Sequence, residues 1–245
     1  MRCEKRKVPP WYVSRLTSYV ALSLGISSPV PYALMSSGGK DGTLALDRVR
    51  RSGLDVHYLA NIYEGSTGRV RFHGVRHEMI ARQAEALGLE LVSAHTTPDA
   101  FEPVFLRVLQ TLKEKGCDGV VFGNIHLADV RAWYEERVLA AGLDHVEPLW
   151  GDAPIELLHE VVERGYRSLI VSVDLKQNAA PFLGRELDAD LLTEIGITED
   201  LDPCGERGEF HTYVFDGPTF KQPIPFTKGP IVKIEGHKFV DLTLL

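Results

Sequence analysis

The regular alternation of short apolar runs with longer segments of helical period constrains the fold more than any other feature of this sequence. Apolar runs of four to six residues predict strands, whereas an apolar residue at every third or fourth position predicts a helix. This alternation is typical of βα units, in which helices connect parallel strands. The predicted strands are 32–35, 56–61, 90–94, 119–122 and 168–173. The predicted helices are 43–52, 75–87, 103–115, 130–141 and 154–164.

The first four predicted strands indicate an α/β fold with a doubly wound parallel sheet. Because 245 residues suit one large domain or a core domain with a smaller appendage, we divide the chain into three parts. They are an N-terminal extension (1–28), a core domain (29–148) and a smaller C-terminal region (149–245). In the C-terminal region we expect one more βα unit and then a loop-rich tail, folded against the mouth of the sheet.

Charge and composition argue against several classes of protein. The formal net charge of -7 disfavours a surface that binds phosphate backbones through clustered Lys and Arg, so no nucleic-acid partner is expected. No run reaches the roughly 18 to 20 apolar residues of a transmembrane helix, so no membrane association is expected. The cysteines Cys3, Cys117 and Cys204 form no C-x-x-C pair and fit a reducing, cytoplasmic compartment. A signal peptide within residues 1–28 stays open as an alternative to a packed extension.

A glycine-rich segment, 36–42, follows the first predicted strand directly and precedes the first predicted helix. In an open parallel sheet, the first βα turn is the usual phosphate cradle. Gly38 and Gly39 would let backbone N–H groups approach phosphate oxygens, and Lys40 would add a full positive charge. Because Leu34 stands where a Walker A loop needs glycine, this is a different kind of loop. The position predicts phosphate binding, while a simple tight turn stays open as the alternative.

The run Ser37-Gly38-Gly39-Lys40-Asp41-Gly42 resembles the S-G-G-K-D-[ST] loop of the PP-loop, or N-type, ATP pyrophosphatases. These adenine nucleotide α-hydrolase-like proteins have a HUP, or Rossmann-like, fold and cleave ATP between the α and β phosphates. The final hydroxyl of the pattern is missing at Gly42, and the neighbouring Thr43 could replace it. The resemblance implies that ATP is bound by Ser36, Ser37, Gly38, Gly39, Lys40, Asp41, Gly42 and Thr43.

A second motif begins at the end of the fourth predicted strand, with Gly123 and Asn124. Taken alone, it indicates the start of a helix with Asn124 as a capping side chain. Together with the later Pro148-Leu149-Trp150, it resembles the G-D-[IL]…R…PLW stretch of the diphthine-ammonia ligase family. The resemblance implies that Gly123 and Asn124 contact the nucleotide, although Asn124 stands where that family usually has Asp.

The third motif, 202–212, places two carboxylates, a histidine and a threonine within its last seven residues. Such a loop can hold Mg²⁺ through Glu206 or Glu209, bind a polar substrate or take a proton from an amine, and a solvated turn is the alternative. It resembles the E-G-G-E-x-E or E-N-G-E-F-H-T signature of the same family. True diphthine-ammonia ligases tend to have glutamate at the position of His211. This chain is closer to the second form, E-N-G-E-F-H-T, which belongs to a bacterial branch proposed to act in cobalamin salvage or another amidation.

The resemblance, which spans residues from about 31 to 220, implies a two-step ligation. A substrate carboxylate attacks the α-phosphate of Mg-ATP, pyrophosphate leaves, and ammonia then displaces AMP. The carboxylate belongs to a small molecule or to a protein, and a homodimer is possible. The implied catalytic residues are Lys40, Asp41, Glu206, Glu209 and His211, and the implied Mg²⁺ ligands are Asp41 and Glu206.

Two other classes of function stay open. A sulfur transferase acting on tRNA would share the ATP site but needs catalytic cysteines and a basic face, and a nucleotide-binding sensor would lack the third motif.

His73 and His77, four residues apart, could bind zinc on a helix, but a surface or core role is favoured. The segment 65–74 is expected to be a mobile loop near the ATP site, where Arg69, Arg71 and His73 could touch phosphate or substrate.

Overall fold

A computed structural model of the protein describes residues 30–234 and 236–245, which form nine strands, six α-helices and two short 3-10 turns. The predicted extension, 1–28, and Cys3 lie outside these residues. The strands are β1 (Tyr32–Met35), β2 (Val56–Glu64), β3 (Glu90–Thr96), β4 (Gly119–Val121), β5 (Asp144–Val146), β6 (Arg167–Asp174), β7 (Phe210–Asp216), β8 (Phe226–Ile234) and β9 (His237–Leu244). The helices are α1 (Lys40–Arg51), α2 (His77–Leu87), α3 (Phe101–Glu114), α4 (Ala128–Ala140), α5 (Pro154–Glu163) and α6 (Ala189–Ile197). The 3-10 turns are Pro98–Ala100 and Ala180–Phe182.

The first sheet contains five parallel strands in the order β3-β2-β1-β4-β5. The chain therefore builds outward from β1 in one direction and then continues from β4 in the other. Ligands bind at such a switch point, beyond the carboxyl ends of the two central strands. The predicted α/β class and the first four strands are confirmed, and β5 is an additional strand of three residues.

Helices cover both faces of this sheet, as a doubly wound fold requires. Because successive strand residues point to opposite faces, Ala33 packs with α3 and α4 whereas Leu34 packs with α1 and α2. Phe105 of α3 is fully buried and lies in an aromatic cluster with Trp133 and Tyr134 of α4. On the other face, the apolar cluster that contains Leu34 continues into the apolar residues of the C-terminal region. That region therefore packs on the side of α1 and α2.

The second sheet corrects the expectation for the C-terminal region. Its four strands are antiparallel and run in the order β7-β6-β9-β8. The predicted strand 168–173 exists as β6, but its assignment to one more parallel βα unit was wrong. The expected loop-rich tail was also wrong, because it contains α6 and three strands. Most of β8 is exposed and it is bulged around Gly229 and Pro230, so it lacks the apolar alternation by which a strand is predicted.

Hydrogen bonds around Gly38 help to attach this second sheet to the glycine-rich segment. The backbone N–H of Val214 in β7 donates to the Gly38 carbonyl over 2.9 Å. The side-chain amide of Gln83 in α2 donates both to that carbonyl (3.1 Å) and to the Val214 carbonyl (2.7 Å). The C-terminal region therefore helps to shape the first βα turn. Across the described ranges, no helix has the length and apolar character needed to cross a membrane.

Candidate active site

The glycine-rich segment leaves β1 as a tight loop that is held by its neighbours. The Gly38 N–H donates to Ser36 Oγ over 3.0 Å, and the side chain of Asn61 in β2 donates to the Ser36 carbonyl over 2.8 Å. Gly38 has a φ of 90°, and a Cβ there would lie 2.8 Å from Cδ1 of Ile80. Only glycine fits this position without strain.

Lys40 is the first residue of α1 and is almost completely buried, at 2% exposure. Its backbone N–H donates to Thr212 Oγ1 over 3.0 Å. Its ammonium group donates to Asp41 Oδ2 over 2.9 Å and to the Cys204 carbonyl over 2.5 Å. Burial acts to lower the pKa of Lys40, but the charge and hydrogen bond of Asp41, together with the nearby Cys204 and Glu206, outweigh it, so the net pKa is raised. A positive charge is thus fixed at a helix N-terminus, where anions are favoured.

Gly123 brings β4 into direct contact with the start of α1. A Cβ at this position would lie 2.7 Å from the backbone carbon of Asp41 and 2.7 Å from the backbone nitrogen of Gly42. Since both neighbours are backbone atoms, they cannot move aside as a flexible side chain can. A residue other than glycine would push the N-terminus of α1 away from β4.

Residues 202–209, which we call the acidic loop, cover the other side of the site. Asp202 Oδ1 accepts from the Cys204 N–H over 2.8 Å, and Asp202 Oδ2 lies 2.7 Å from Nε2 of His126. Glu209 is fully buried, and its Oε1 accepts from the Asp202 N–H (2.9 Å) and from Arg207 Nε (3.0 Å). Glu209 therefore braces the acidic loop from within and does not line the cavity.

Glu206 points from the acidic loop into the cavity, facing the charged pair formed by Lys40 and Asp41. Burial and the negative charge of Asp41 raise the pKa of Glu206 to about 7. Burial also raises the pKa of Asp41, against the opposing charge of Lys40. Glu206 can therefore exchange a proton near neutral pH, as general acids and bases do.

His73 and His211, 138 positions apart in the chain, lie side by side in the cavity wall, with ring centroids 4.3 Å apart at an angle of 34°. Burial lowers the pKa of His73 to about 4. Burial and the neighbouring His73 hold the pKa of His211 well below its ordinary value. Both imidazoles are therefore neutral at pH 7.

The second sequence motif forms a polar cluster at the end of β4. Asn124 Nδ2 donates to Glu147 Oε1 over 2.6 Å, and Arg131 Nε lies 3.1 Å from Glu147 Oε2. Burial raises the pKa of Glu147, against the hydrogen bond from Asn124. The expectation that Asn124 caps a helix was wrong, because Leu127 is the N-terminal cap of α4.

These elements surround one cavity of about 550 Å³, a size typical of small-molecule sites. Of the predicted site residues, those that line it are Ser36, Ser37, Gly39, Lys40, Asp41, Gly42, Gly123, Asn124, Glu206 and His211. Gly38 and Thr43 do not line it. The Thr43 hydroxyl donates to the Gly39 carbonyl over 3.0 Å, so it is turned away from the place of the missing Gly42 hydroxyl.

The segment 65–74 lies beside the cavity, to which it contributes Arg71 and His73. Arg69 instead pairs with Asp241 of β9, at 2.8 Å. His77 does not join His73 on one helix, and its Nε2 lies 2.9 Å from Ser93 Oγ. Within the part of the chain that the structure describes, no group of three or more His, Cys, Asp or Glu side chains could hold a metal ion.

Sequence reasoning missed Thr212, Asn61 and Asp202, and it did not pair His73 with His211. Thr212 and Asp202 lie within the third motif, and their place in that motif is the signal by which the sequence could have identified them. Asn61 is the last residue of the predicted second strand, the position at which an α/β sheet presents ligand-binding groups.

Known proteins resemble the chain along most of its length. Residues 31–144 match the diphthamide synthase N-terminal domain, and residues 153–241 match the diphthamide synthase C-terminal domain. Diphthine-ammonia ligases of Bos taurus and Homo sapiens are each 26% identical over 87% of this chain and 89% of their own length. The diphthine-ammonia ligase of Schizosaccharomyces pombe is 26% identical over 80% of this chain, which spans 36% of that relative.

Two solved structures also show similarity. The predicted subunit of tRNA methyltransferase from Methanocaldococcus jannaschii is 18% identical, with a TM-score of 0.42 over 79% of this chain and 98% of that one. The U34-tRNA thiolase NcsA from Methanococcus maripaludis is 17% identical, with a TM-score of 0.39 over 66% of this chain and 72% of that one. Because the two matched domains together run from residue 31 to residue 241, the chain belongs to the diphthamide synthase, or diphthine-ammonia ligase, family.

Proposed function

We propose that this protein is an ATP-dependent C–N ligase that adenylates a substrate carboxylate, releases pyrophosphate and transfers ammonia to form an amide. The observation that carries the proposal is that the PP-loop segment and the acidic loop open on one cavity, with Lys40 bonded to both. By the names of the family's ligases, the substrate is diphthine, a carboxylate borne on a protein. We expect the enzyme to work in the cytoplasm, where ATP is present, and a homodimer stays a prediction.

ATP fits the cavity because the PP-loop side of it offers the groups that phosphates need. Gly39 lines the cavity and has no side chain, so its backbone can approach a phosphate closely. The N-terminus of α1 and the ammonium of Lys40 supply positive charge. The cavity is also lined by the apolar and aromatic side chains Ile62, Phe101 and Tyr134, which suit a purine base.

The chemistry explains why ATP is needed. A carboxylate does not exchange an oxygen for an amine at neutral pH, whereas the AMP of an acyl-adenylate is a good leaving group. Attack by the carboxylate on the α-phosphate transfers negative charge to the departing pyrophosphate. Lys40 and the N-terminus of α1 are fixed before the reaction begins, so they can stabilise that charge without reorganising.

Mg²⁺ fits the arrangement, since this ion is usually held by one or two carboxylates together with substrate phosphates. Asp41 and Glu206 both line the cavity and would hold it. When bound, the ion would neutralise phosphate charge.

A second candidate differs only in the substrate. His211 stands where the signature of true diphthine-ammonia ligases tends to have glutamate, which favours an amidation of another acid, such as one of cobalamin salvage. The cavity would keep the same ATP chemistry. The two candidates are therefore distinguished by which acid causes ATP to be cleaved.

The test is to incubate the protein with Mg-ATP and ammonium, with and without an acid, and to identify the nucleotide products. Elongation factor 2 carrying diphthine and cobyric-acid-type acids are supplied separately. We expect AMP and pyrophosphate only with the correct acid, and their loss in Lys40→Ala. Lys115→Ala is the matched control, because Lys115 pairs with Glu90 at 2.6 Å and does not line the cavity.

Since Lys40 is buried, Lys40→Met serves as a second variant that keeps most of its volume, and circular dichroism checks the fold of both. Formation of ADP and phosphate would contradict the proposal. Tight ATP binding without turnover by any acid would favour a nucleotide-binding sensor instead.

A further inference from the structure

Two histidines from distant parts of the chain form a pair in the cavity wall. His211 lies on β7, directly before Thr212, whose hydroxyl accepts the hydrogen bond from the backbone of Lys40. His73 lies on the segment between β2 and α2. Their rings are 4.3 Å apart. The imidazole of His73 also borders Gly39, the glycine that lines the cavity directly before Lys40.

The surrounding structure fixes this pair relative to the PP-loop. The segment that carries His73 is bridged to itself at Glu64, Arg69 and Arg76. Asp241 of β9 binds Arg69 at 2.8 Å and Arg76 at 2.6 Å, which ties the segment to the second sheet. The position of His73 therefore depends on these contacts between its segment and β9, none of which involves the PP-loop.

Every charged or titratable group that acts on the pair opposes protonation when no ligand is bound. Lys40 of α1 acts on both rings, and His237 of β9 acts on His211. Burial has the same effect. Both rings are therefore neutral without a ligand, and an anionic phosphate bound nearby would raise their pKa values and so their affinity for a proton.

The second step of the proposed reaction releases protons that need an acceptor. As ammonia attacks the acyl carbon, the C–N bond forms and the C–O bond to AMP breaks. The nitrogen keeps two of its three hydrogens, so one proton leaves with no electron pair. When the nucleophile arrives as ammonium, a second proton must leave before the nitrogen lone pair can attack.

We propose that His73 and His211 act together as the acceptor of the protons that the nitrogen nucleophile releases. This inference rests on the proposed function and deepens it, because it assigns a role in ammonia transfer to His73, which lies outside the sequence motifs. A zinc site is the competing use of two adjacent histidines. Zinc needs further ligands, and the described residues contain no group of three His, Cys, Asp or Glu that could supply them.

The test separates adenylation from nitrogen transfer, with the acid identified as above as substrate. Exchange of labelled pyrophosphate into ATP reports adenylation without any nitrogen nucleophile. Amide formation with ammonium chloride is then compared with hydroxamate formation from hydroxylamine, which is already unprotonated at neutral pH. The variants are His73→Asn, His211→Asn and the double variant, and His73→Gln is a second choice if the first does not fold. His77→Asn is the matched control, since His77 does not line the cavity.

We expect amide formation from ammonium to fall about 100-fold or more in the variants, the usual effect of losing a general base. The remaining rate should rise more steeply with pH as free ammonia increases. Hydroxylamine transfer, which releases one proton instead of two, should fall less, and pyrophosphate exchange should change only a few-fold. Unchanged ammonium transfer would overturn the inference, and so would an equal fall in all three rates. Absence of substrate-dependent exchange in the unaltered protein would overturn the proposed function itself.

Discussion

Asp241→Asn tests how the segment that carries His73 is attached to the rest of the protein. Asp241 Oδ2 accepts from Arg76 Nη2 over 2.6 Å, and Asp241 Oδ1 accepts from Arg76 Nε over 2.9 Å and lies 2.8 Å from Arg69 Nη2. These hydrogen bonds and charges lower the pKa of Asp241 from an ordinary value of 3.8 to about 2. The difference corresponds to roughly 2 kcal/mol, after a reduction because the Arg76 side chain is 38% exposed.

The sign of the pH dependence follows from the direction of that change. The folded protein has the lower pKa, so the charged carboxylate stabilises it fully above pH 4 and the stabilisation is lost as the pH falls toward 2. We expect Asp241→Asn to lower the free energy of unfolding by about 2 kcal/mol at pH 7 and by much less at pH 2.5, measured by urea unfolding.

The matched control is Glu194→Gln, which removes an exposed carboxylate bonded to Arg185 at 2.7 Å and should change stability little. Ammonium-dependent amide formation should also fall in Asp241→Asn, because the position of His73 is less restricted. Equal stability of Asp241→Asn and the unaltered protein at pH 7 would refute this reasoning. A loss of the same size at pH 2.5 would refute the role of the carboxylate charge.

The remaining predictions concern backbone fit and packing. Gly123→Ala should weaken ATP binding at least tenfold in equilibrium titrations, because its Cβ would displace the N-terminus of α1, and unchanged affinity would contradict this. Its control, Gly196→Ala, meets only Ile155 at 3.8 Å and should keep the affinity while raising stability by up to about 1 kcal/mol. Phe72→Gly should not lower the free energy of unfolding by more than about 1 kcal/mol, since it relieves a φ of 63° at a residue that is 51% exposed. Phe105→Ala, at a fully buried site, should lower it by about 3 to 5 kcal/mol.

The sequence was sufficient to predict four of the five strands of the first sheet, because the two central strands, β1 and β4, are largely buried apolar runs. It missed β5, a three-residue edge strand with no buried residue. The glycine-rich loop was predictable for a related reason, since its place between β1 and α1 follows from the order of elements. The helix starts three residues before the predicted position, at Lys40, because Gly42 was taken as part of the loop. In the second sheet, the order of strands depends on pairing between distant segments, and no local pattern records it.

The cavity shows the same distinction between local and distant information. Its residues within each motif were identified from the sequence, but their partners come from elsewhere in the chain. The hydroxyl expected at position 42 or 43 is an example. A Cβ at Gly42 would come 3.0 Å from Ser36 Oγ, and the hydroxyl at the start of α1 is instead that of Thr212, bonded to the Lys40 N–H. That contact joins positions 172 residues apart, so local spacing carries no signal for it.

The division of the chain at residue 148 stays a prediction, and the contacts across it indicate two mutually dependent parts. Thr212, Val214 and the Cys204 carbonyl, all from the C-terminal region, bond to Gly38 or Lys40 of the PP-loop. Without these partners, the Lys40 ammonium would keep only its bond to Asp41 and the Lys40 backbone N–H would lose its hydrogen bond, which destabilises the PP-loop. The phosphate cradle is therefore completed by the same strand that presents His211. Because His211 and Thr212 are adjacent on this strand, the contact that completes the phosphate cradle also fixes His211 beside the PP-loop.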